Sequence, residues 1–550
     1  MRDPIGSFLE IKENFIRYVQ TAFRTNSDSI EAERYRLLNT DKVLYRMPWI
    51  ELLPDYLSSG KKIDDLSEGD FGGSMNDQEI RSFKELVKNG LVPDFFTLHS
   101  HQAKMLKAAV SGNNCIITSG TGSGKTESFL LPLFAQLTKE LDSWEEPADR
   151  IPTQDSWWKE RSLGGLTPSQ IYDNSICSLN AATAQRSNEK RPAGVRALIL
   201  YPMNALVEDQ MTRLRKALDS DDTRKWLIKN LHGNKIYFGR YNSNTPVSGT
   251  LHKINEEGQK VRNDFKIKQL QKELSQIEKD SVKVERFIAE KQQNEDDAKE
   301  LKAFFPRLDG AEMRSRFDMQ LSPPDIMITN YSMLSIMLMR EVDSGIFEKT
   351  RSWLACEDLP ADQREMEKKN RIFHLIIDEL HLYRGTQGSE VAYLLKLVLN
   401  RLGLHPEHDQ LRILASSASL EPGDEKSMEF LQDFFGVDIS KKPFTIIPGE
   451  NNPVEKLSNI EDKLDTKLFA AVARSFDSCN GEITDDQFIT DCEKLSEALC
   501  QKYVIDADSV GIERLMKVLI DPKIQLKERL YHACETETNN KTAYNAVCSI

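Results

Sequence analysis

Three clusters of residues, far apart in the chain, carry groups able to work on one anion. The first is SGTGSGKT, Ser119 to Thr126, after the apolar run NNCIITS. Gly120, Gly122 and Gly124 permit a tight turn and close backbone approach, so that several N–H groups converge on phosphate. Ser119, Thr121 and Ser123 complete the turn, with Ser119 where the common motif has Gly or Ala. Lys125 would reach the outer phosphates, and the Thr126 hydroxyl would ligate Mg²⁺. The second cluster is FHLIIDELH, Phe373 to His381. Its apolar run ends in two carboxylates. Asp378 suits Mg²⁺, held through water, and Glu379 suits orienting or deprotonating an attacking water. His381 is close enough to relay changes at a γ-phosphate. The third is ILASSASL, Ile413 to Leu420. Ser417 and Ser419 there could bond His381 or carbonyls near the loop, although strand-end serines are often turn formers. Together the clusters predict a site for ATP and Mg²⁺.

Such groups need a scaffold that delivers them to one place. Between Leu98 and about Leu420 short apolar runs recur: NNCIITS, VRALILYP, KIYFGR, PDIMITN, FHLIIDE and RILASSAS. Each is followed by a helical pattern, which predicts an α/β fold with a parallel sheet and helices on both faces. In such sheets ligands bind at the C-terminal ends of the strands. Two insertions interrupt the alternation, at about 140–196 and 253–302, both far longer than an ordinary connection. In the second, Leu270, Leu274, Ile277, Val284 and Ile288 predict a long helix or short coiled-coil arm, read as a solvated surface arm ahead of a DNA-contacting one. Residues 1–90 read as a helical N-terminal region, interrupted by Pro48 and Pro54. Residues 91–450 read as the nucleotide-binding domain. KKPFTIIPGENNPVEK reads as a strand and linker, and 451–550 as helical.

The net charge of −13 counts against a protein that coats nucleic acid, yet leaves room for a local basic groove. No apolar run approaches the roughly 20 residues a membrane span needs. The N-terminus has no apolar signal core, so a cytoplasmic location is expected and no membrane partner. The eight cysteines form no C-x-x-C pair, which argues against a zinc ribbon or disulfide scaffold and for buried thiols.

The order of these motifs resembles superfamily 2 helicases of the DEAD/DEAH kind, with their RecA-like P-loop NTPase fold. LHSHQ is similar to the adenine-recognising Q motif and implies that Gln102 meets the adenine edge. LILYPMNALVEDQMTRL and PDIMITNYSML stand where the family has motifs Ia and Ib, and Ser417-Ala418-Ser419 stands in place of Ser-Ala-Thr. YPMNALVEDQ, TNYSML and DELHLYRGTQGSEVAYLL resemble the large bacterial helicases of the Lhr and MrfA groups, often with a C-terminal DUF1998 region. Several of these act in anti-phage defence and others in DNA repair. The resemblance implies ATP-dependent 3′-to-5′ movement on single-stranded or partly duplex nucleic acid, DNA favoured.

Pro202, Asn204, Thr329, Asn330 and Tyr331 follow strands, so they would hold phosphates without reading sequence. Tyr331 could stack on a base or pack in the core. Arg213, Arg215 and Lys216 add charge toward nucleic acid or are simply solvated. A superfamily 2 motor also needs a second RecA-like domain with arginine fingers, and residues 440–550 contain no such motif. The chain alone is therefore expected to bind ATP and hydrolyse it poorly. The second lobe would come in cis or from a partner chain, and defence-system partners would fit. An ATP-gated nucleic-acid scaffold and an RNA helicase remain alternatives.

Overall fold

The computed structural model describes residues 4–46, 55–120, 122–141, 143–149, 157–158, 184–249, 252–291, 295–452, 466–478, 486–506, 509–521, 523–526 and 529. The chain divides into two compact units, Tyr56–Glu450 and Met1–Asp55 with Asn451–Ile550.

The larger unit is built on a seven-stranded sheet in the order β3-β6-β2-β7-β8-β1-β9. Its strands are β1 (Asn114–Thr118), β2 (Ala197–Leu200), β3 (Phe238–Tyr241), β6 (Ile326–Thr329), β7 (Phe373–Ile377), β8 (Leu411–Ser417) and β9 (Phe444–Pro448). Every neighbouring pair is parallel. A small antiparallel hairpin, β4 (His252–Ile254) with β5 (Lys260–Arg262), stands apart. The fold is the α/β, RecA-like arrangement expected from the alternation of apolar runs and helical patterns.

The central strands are apolar throughout because both faces are covered. Cys115 and Ile117 of β1 join one apolar cluster, while Ile116 between them joins the other. On the first face lies the helix Lys125–Leu141, buried almost all round, as its nearly continuous apolar sequence requires. On the second face lie the helices Ser344–Leu354, Gly385–Leu402 and Glu425–Phe435.

Two expectations about the chain's organisation change, while the strand expected within KKPFTIIPGENNPVEK is present. The boundary near residue 90 moves, because Ile63, Leu66, Phe71, Phe83, Leu86 and Val87 belong to the first apolar cluster. The helix Asp77–Lys88 is started by Asn76, whose side chain accepts from Gln78 N and Glu79 N, and it lays its apolar face on Lys125–Leu141. The segment read as a strand and linker is β9, the seventh strand, level with β1 from Asn114↔Phe444 to Thr118↔Pro448. Its Ile447 completes the core. The predicted arm is the helix Asp264–Lys291, but one face of its first half is buried. Ile267, Leu270 and Leu274 are buried against Trp157, Trp158, Val247 and Phe317.

The N-terminal edge of the sheet is held by buried charge. Asp325, just before β6, accepts two bonds from Arg191, at 2.8 and 2.7 Å. It also lies 3.2 Å from Arg196 Nη1, just before β2, and 3.8 Å from Arg186 Nη1. Burial works against the charge of Asp325, but these guanidiniums outweigh it and hold its carboxyl well below the usual range. Arg191 also stacks over Trp144, and Arg196 over Trp353. The chain leaving the first insertion is thus pinned where β2 begins.

In the smaller unit the helices Pro4–Ala22 and Asp28–Leu38 pack together. Separately, Thr466–Ser478, Asp486–Tyr503 and Gly511–Leu519 share a core around Phe469, Phe488, Leu495, Leu499 and Val518. Cys115, Cys356, Cys492 and Cys500 are buried free thiols. Among the described residues no helix is long and apolar enough to cross a membrane.

Candidate nucleotide and nucleic-acid site

β1 ends at Thr118, and the helix Lys125–Leu141 begins seven residues later. Between them Gly122 and Gly124 have φ of 75° and 71°, a region that glycine enters without penalty. Nothing lies within 4 Å of where a Cβ on Gly122 would sit, whereas a Cβ on Gly124 would collide with the Gln102 amide. Ser123 Oγ donates to the Gly120 carbonyl at 3.0 Å and lies 2.6 Å from Ser119 Oγ. Thr121 lies outside the described residues.

Gln102 is buried and braced at both ends of its amide. Its Oε1 accepts from His99 N at 2.9 Å, and its Nε2 donates to the Gly124 carbonyl at 3.2 Å. His101 adds a second brace, with Nε2 2.8 Å from the Ser123 carbonyl. The residue read as an adenine contact is therefore bound to the loop itself.

Motifs 254 residues apart meet in one ion pair, Lys125 Nζ to Glu379 Oε1 at 3.0 Å. Glu379 has φ 52°, ψ 47°, a left-handed conformation that a side chain of its kind rarely adopts and that concentrates at functional sites. Asp378 is buried. One of its carboxylate oxygens accepts from the Ser416 hydroxyl, whose oxygen accepts from Glu379 N at 2.9 Å. Burial raises the Asp378 pKa; the Ser416 bond opposes this and the charge of Glu379 adds to it. Thr126 directly follows Lys125, and Asp378 directly precedes Glu379, so the ion pair joins the two segments that carry the hydroxyl and the carboxylate. Oxygen donors of this kind suit Mg²⁺.

Ser416 is not among the sequence candidates, which are Ser417 and Ser419, expected to bond His381 or carbonyls near the loop. β7 pairs with β8 at Ile377↔Ala415, so the next residues, Asp378 and Ser416, stand level. Ser417 is buried, its Oγ accepting from Ser419 N at 3.3 Å. The Ser419 hydroxyl accepts from Arg384. Neither reaches His381. The contact to that ring comes from Ala418 N, 3.4 Å from Nδ1, which also lies 3.3 Å from Glu379 Oε2.

A second constellation follows β2 and β6. Asn204, exposed at the start of the helix Asn204–Asp219, accepts from Asn330 Nδ2 at 2.8 Å. Asn242, just beyond β3, reaches the same oxygen at 3.4 Å. Asn330 also caps the helix Tyr331–Met339 by accepting from Met333 N at 2.8 Å. Three neighbouring strands thus deliver three amides to one edge. Pro202 is half-buried nearby, and Tyr331 is half-buried against the second apolar cluster.

Two expected nucleic-acid contacts are lost from this edge. Thr329 is fully buried, its hydroxyl donating to the Tyr241 carbonyl at 2.6 Å, because β3 and β6 pair at Tyr241↔Thr329. Arg215 is buried in a two-pronged pair with Glu312, at 2.6 and 3.0 Å. Lys216 pairs with Glu300 at 3.1 Å. Arg213 pairs with Asp209 at 3.0 Å and with Glu127.

Residues 99–239 match the family model described as DEAD/DEAH box helicase. The chain is 28% identical over 509 residues to Druantia protein DruE of Escherichia coli (strain UMEA 4076-1), covering 86% of this chain and 24% of that protein. It thus spans about a quarter of the length of the curated relative it matches. Among solved structures it is similar to the DUF1998 helicase MrfA bound to DNA, at 14% identity and TM-score 0.34, covering 84% of this chain and 39% of that one. The same helicase bound to DNA and AMPPNP gives 14% identity and TM-score 0.35, covering 85% and 42%. Residues 99–239 thus carry the chain's likeness to the DEAD/DEAH box helicases.

Proposed function

We propose that this chain is the first RecA-like lobe of an ATP-dependent nucleic-acid motor. The observation that carries the reading is the Lys125–Glu379 ion pair at 3.0 Å, with Thr126 and Asp378 as its immediate neighbours. Gly120, Gly122 and Gly124, with Ser119, Thr121 and Ser123, form the turn that cradles the phosphates. Lys125 neutralises their charge. Thr126 and Asp378 would hold Mg²⁺, which would supply charge neutralisation at the phosphates. Glu379 orients or deprotonates the attacking water. His381, against Glu379 and Ala418 N, senses the state of that carboxylate. Gln102 braces the phosphate loop through the Gly124 carbonyl and meets the adenine edge.

Asn204 and Asn330, with Pro202 and Tyr331 beside them, form the nucleic-acid edge. Uncharged amides there suit a phosphate path read without base contacts. Single-stranded DNA is the favoured track. A place in anti-phage defence agrees with the similarity to a Druantia protein; partner proteins and a cytoplasmic location complete the proposal. The second RecA-like lobe comes from the rest of a longer protein or from a partner chain.

Binding of a fluorescent ATP analogue with Mg²⁺, and of labelled single strands, tests the reading on this chain. Lys125→Ala abolishes nucleotide binding and leaves strand binding. Asn204→Asp, which faces phosphate with a like charge, weakens strand binding and leaves nucleotide binding. A chain that binds the analogue equally well with Lys125→Ala would refute the site. Competition between matched DNA and RNA strands identifies the track.

A further inference from the structure

The first turn of the phosphate-loop helix is tied to the helix Asn204–Asp219 by two side-chain pairs. Gln210 Nε2 donates to Thr126 Oγ1 at 3.0 Å. Gln210 is 6% exposed and Thr126 9%, so solvent competes little for this bond. One turn further, Arg213 pairs with the next residue of the loop helix, Glu127. The same helix begins at Asn204, the exposed amide of the nucleic-acid edge. Gln210 lies six residues beyond it, about 9 Å along the axis.

A threonine hydroxyl has one hydrogen and two lone pairs. With one lone pair taken by Gln210, the second and the O–H have defined directions. A metal that takes the second lone pair then finds it already aimed, and its arrival is felt by Gln210. We infer that Gln210 is a positioning residue that orients the Thr126 hydroxyl for Mg²⁺ and transmits metal–nucleotide binding to the helix that starts at Asn204. The inference rests on the nucleotide reading above. It adds a specific path by which the nucleotide cleft and the nucleic-acid edge sense each other. The two ends of this path are the Thr126 hydroxyl on the phosphate-loop helix and the Asn204 amide on the helix that carries Gln210.

The test uses the full chain and Gln210→Met, which keeps length and removes both donors. Three quantities are measured: nucleotide binding without metal, the Mg²⁺ concentration at half-saturation of nucleotide binding, and the factor by which Mg²⁺–nucleotide changes single-strand affinity. The expected result is unchanged metal-free binding and an Mg²⁺ midpoint raised about fivefold, the worth of one hydrogen bond. The nucleotide-to-strand factor falls toward one, because binding energies at linked sites are reciprocal. Equal weakening with and without metal would mean packing alone and would overturn the inference, as would an unchanged midpoint. Gln210→Leu carries the same readings if Gln210→Met fails to fold. A wild-type chain that binds no Mg²⁺–nucleotide overturns the nucleotide reading itself. A wild-type chain that binds it, with the variant unaltered, overturns this inference alone.

Discussion

Lys125 is engaged by Glu379, so the carboxylate competes with phosphate for the lysine. Glu379→Gln removes that competitor. Two unit charges 3.0 Å apart attract by about 5 kcal/mol at an effective dielectric constant near 20. The side chains are 12% and 23% exposed, and desolvation, side-chain ordering and the residual polarity of glutamine offset most of it, leaving about 1 kcal/mol. That difference predicts nucleotide affinity raised about fivefold in Glu379→Gln. The same substitution removes the group placed to handle the attacking water, so hydrolysis should fall by about 10² or more. Titration with a fluorescent ATP analogue gives the first quantity, and single-turnover hydrolysis the second. The Lys125→Ala and double variants close a mutant cycle, in which the affinity gain disappears without Lys125. Weaker or unchanged affinity in Glu379→Gln would refute the competition. Hydrolysis at the wild-type rate would refute the water-handling role.

Gly124→Ala should lower stability by about 1–3 kcal/mol, since the new methyl meets the Gln102 amide at a left-handed backbone position; a drop in melting temperature with loss of nucleotide binding checks it. His374, in the middle of the sheet, has its pKa pushed down to about 3 by burial, helped by Arg412. The unfolded chain takes up that proton near pH 6.5 and the folded chain only near 3, so stability falls as pH drops through this window. Between pH 6.5 and 5 the loss is about 2 kcal/mol, read by denaturant melts at both pH values and reduced in His374→Gln. Asp378 has a raised pKa, chiefly from burial, and must be ionised to serve Mg²⁺. Metal-dependent nucleotide affinity should therefore weaken on acidification sooner than an ordinary carboxylate would dictate, while metal-free binding weakens less; equal pH profiles for the two would contradict this.

Local chemistry in this chain was readable where it depended on neighbours in sequence. The glycines, Lys125 and Thr126 are contiguous, and Asp378 and Glu379 end a run that could only be a buried strand. What was not readable depended on register. Whether Ser416 or Ser417 meets Asp378 is decided by the pairing Ile377↔Ala415, which no local pattern specifies. Thr329 looked like a strand-end contact until β3, 88 residues earlier, claimed its hydroxyl. Arg215 looked solvated on a helix of mixed polarity, but its partner Glu312 lies 97 residues on. Asn242 stood in no motif, and Gln210 closed YPMNALVEDQ without an assigned role, since an amide gains its role only from what folds beside it. The arm was recognised as helical from its periodicity, but the tryptophans that bury it belong to the other insertion.

The parallel sheet has two unlike rims. At the C-terminal rim stand the phosphate loop, Asn204, Asn330 and the Asp378–Glu379 pair, all with polar groups turned to possible ligands. At the N-terminal rim Asp325 gathers three guanidiniums and spends its charge entirely within the protein. A strand of four residues such as β6 separates these rims by about 13 Å. Inherited variation should therefore sort by rim rather than by strand. Changes beside Asp325 would act on how much folded protein a cell retains, whereas changes beside Asn330 would act on what each retained molecule can do.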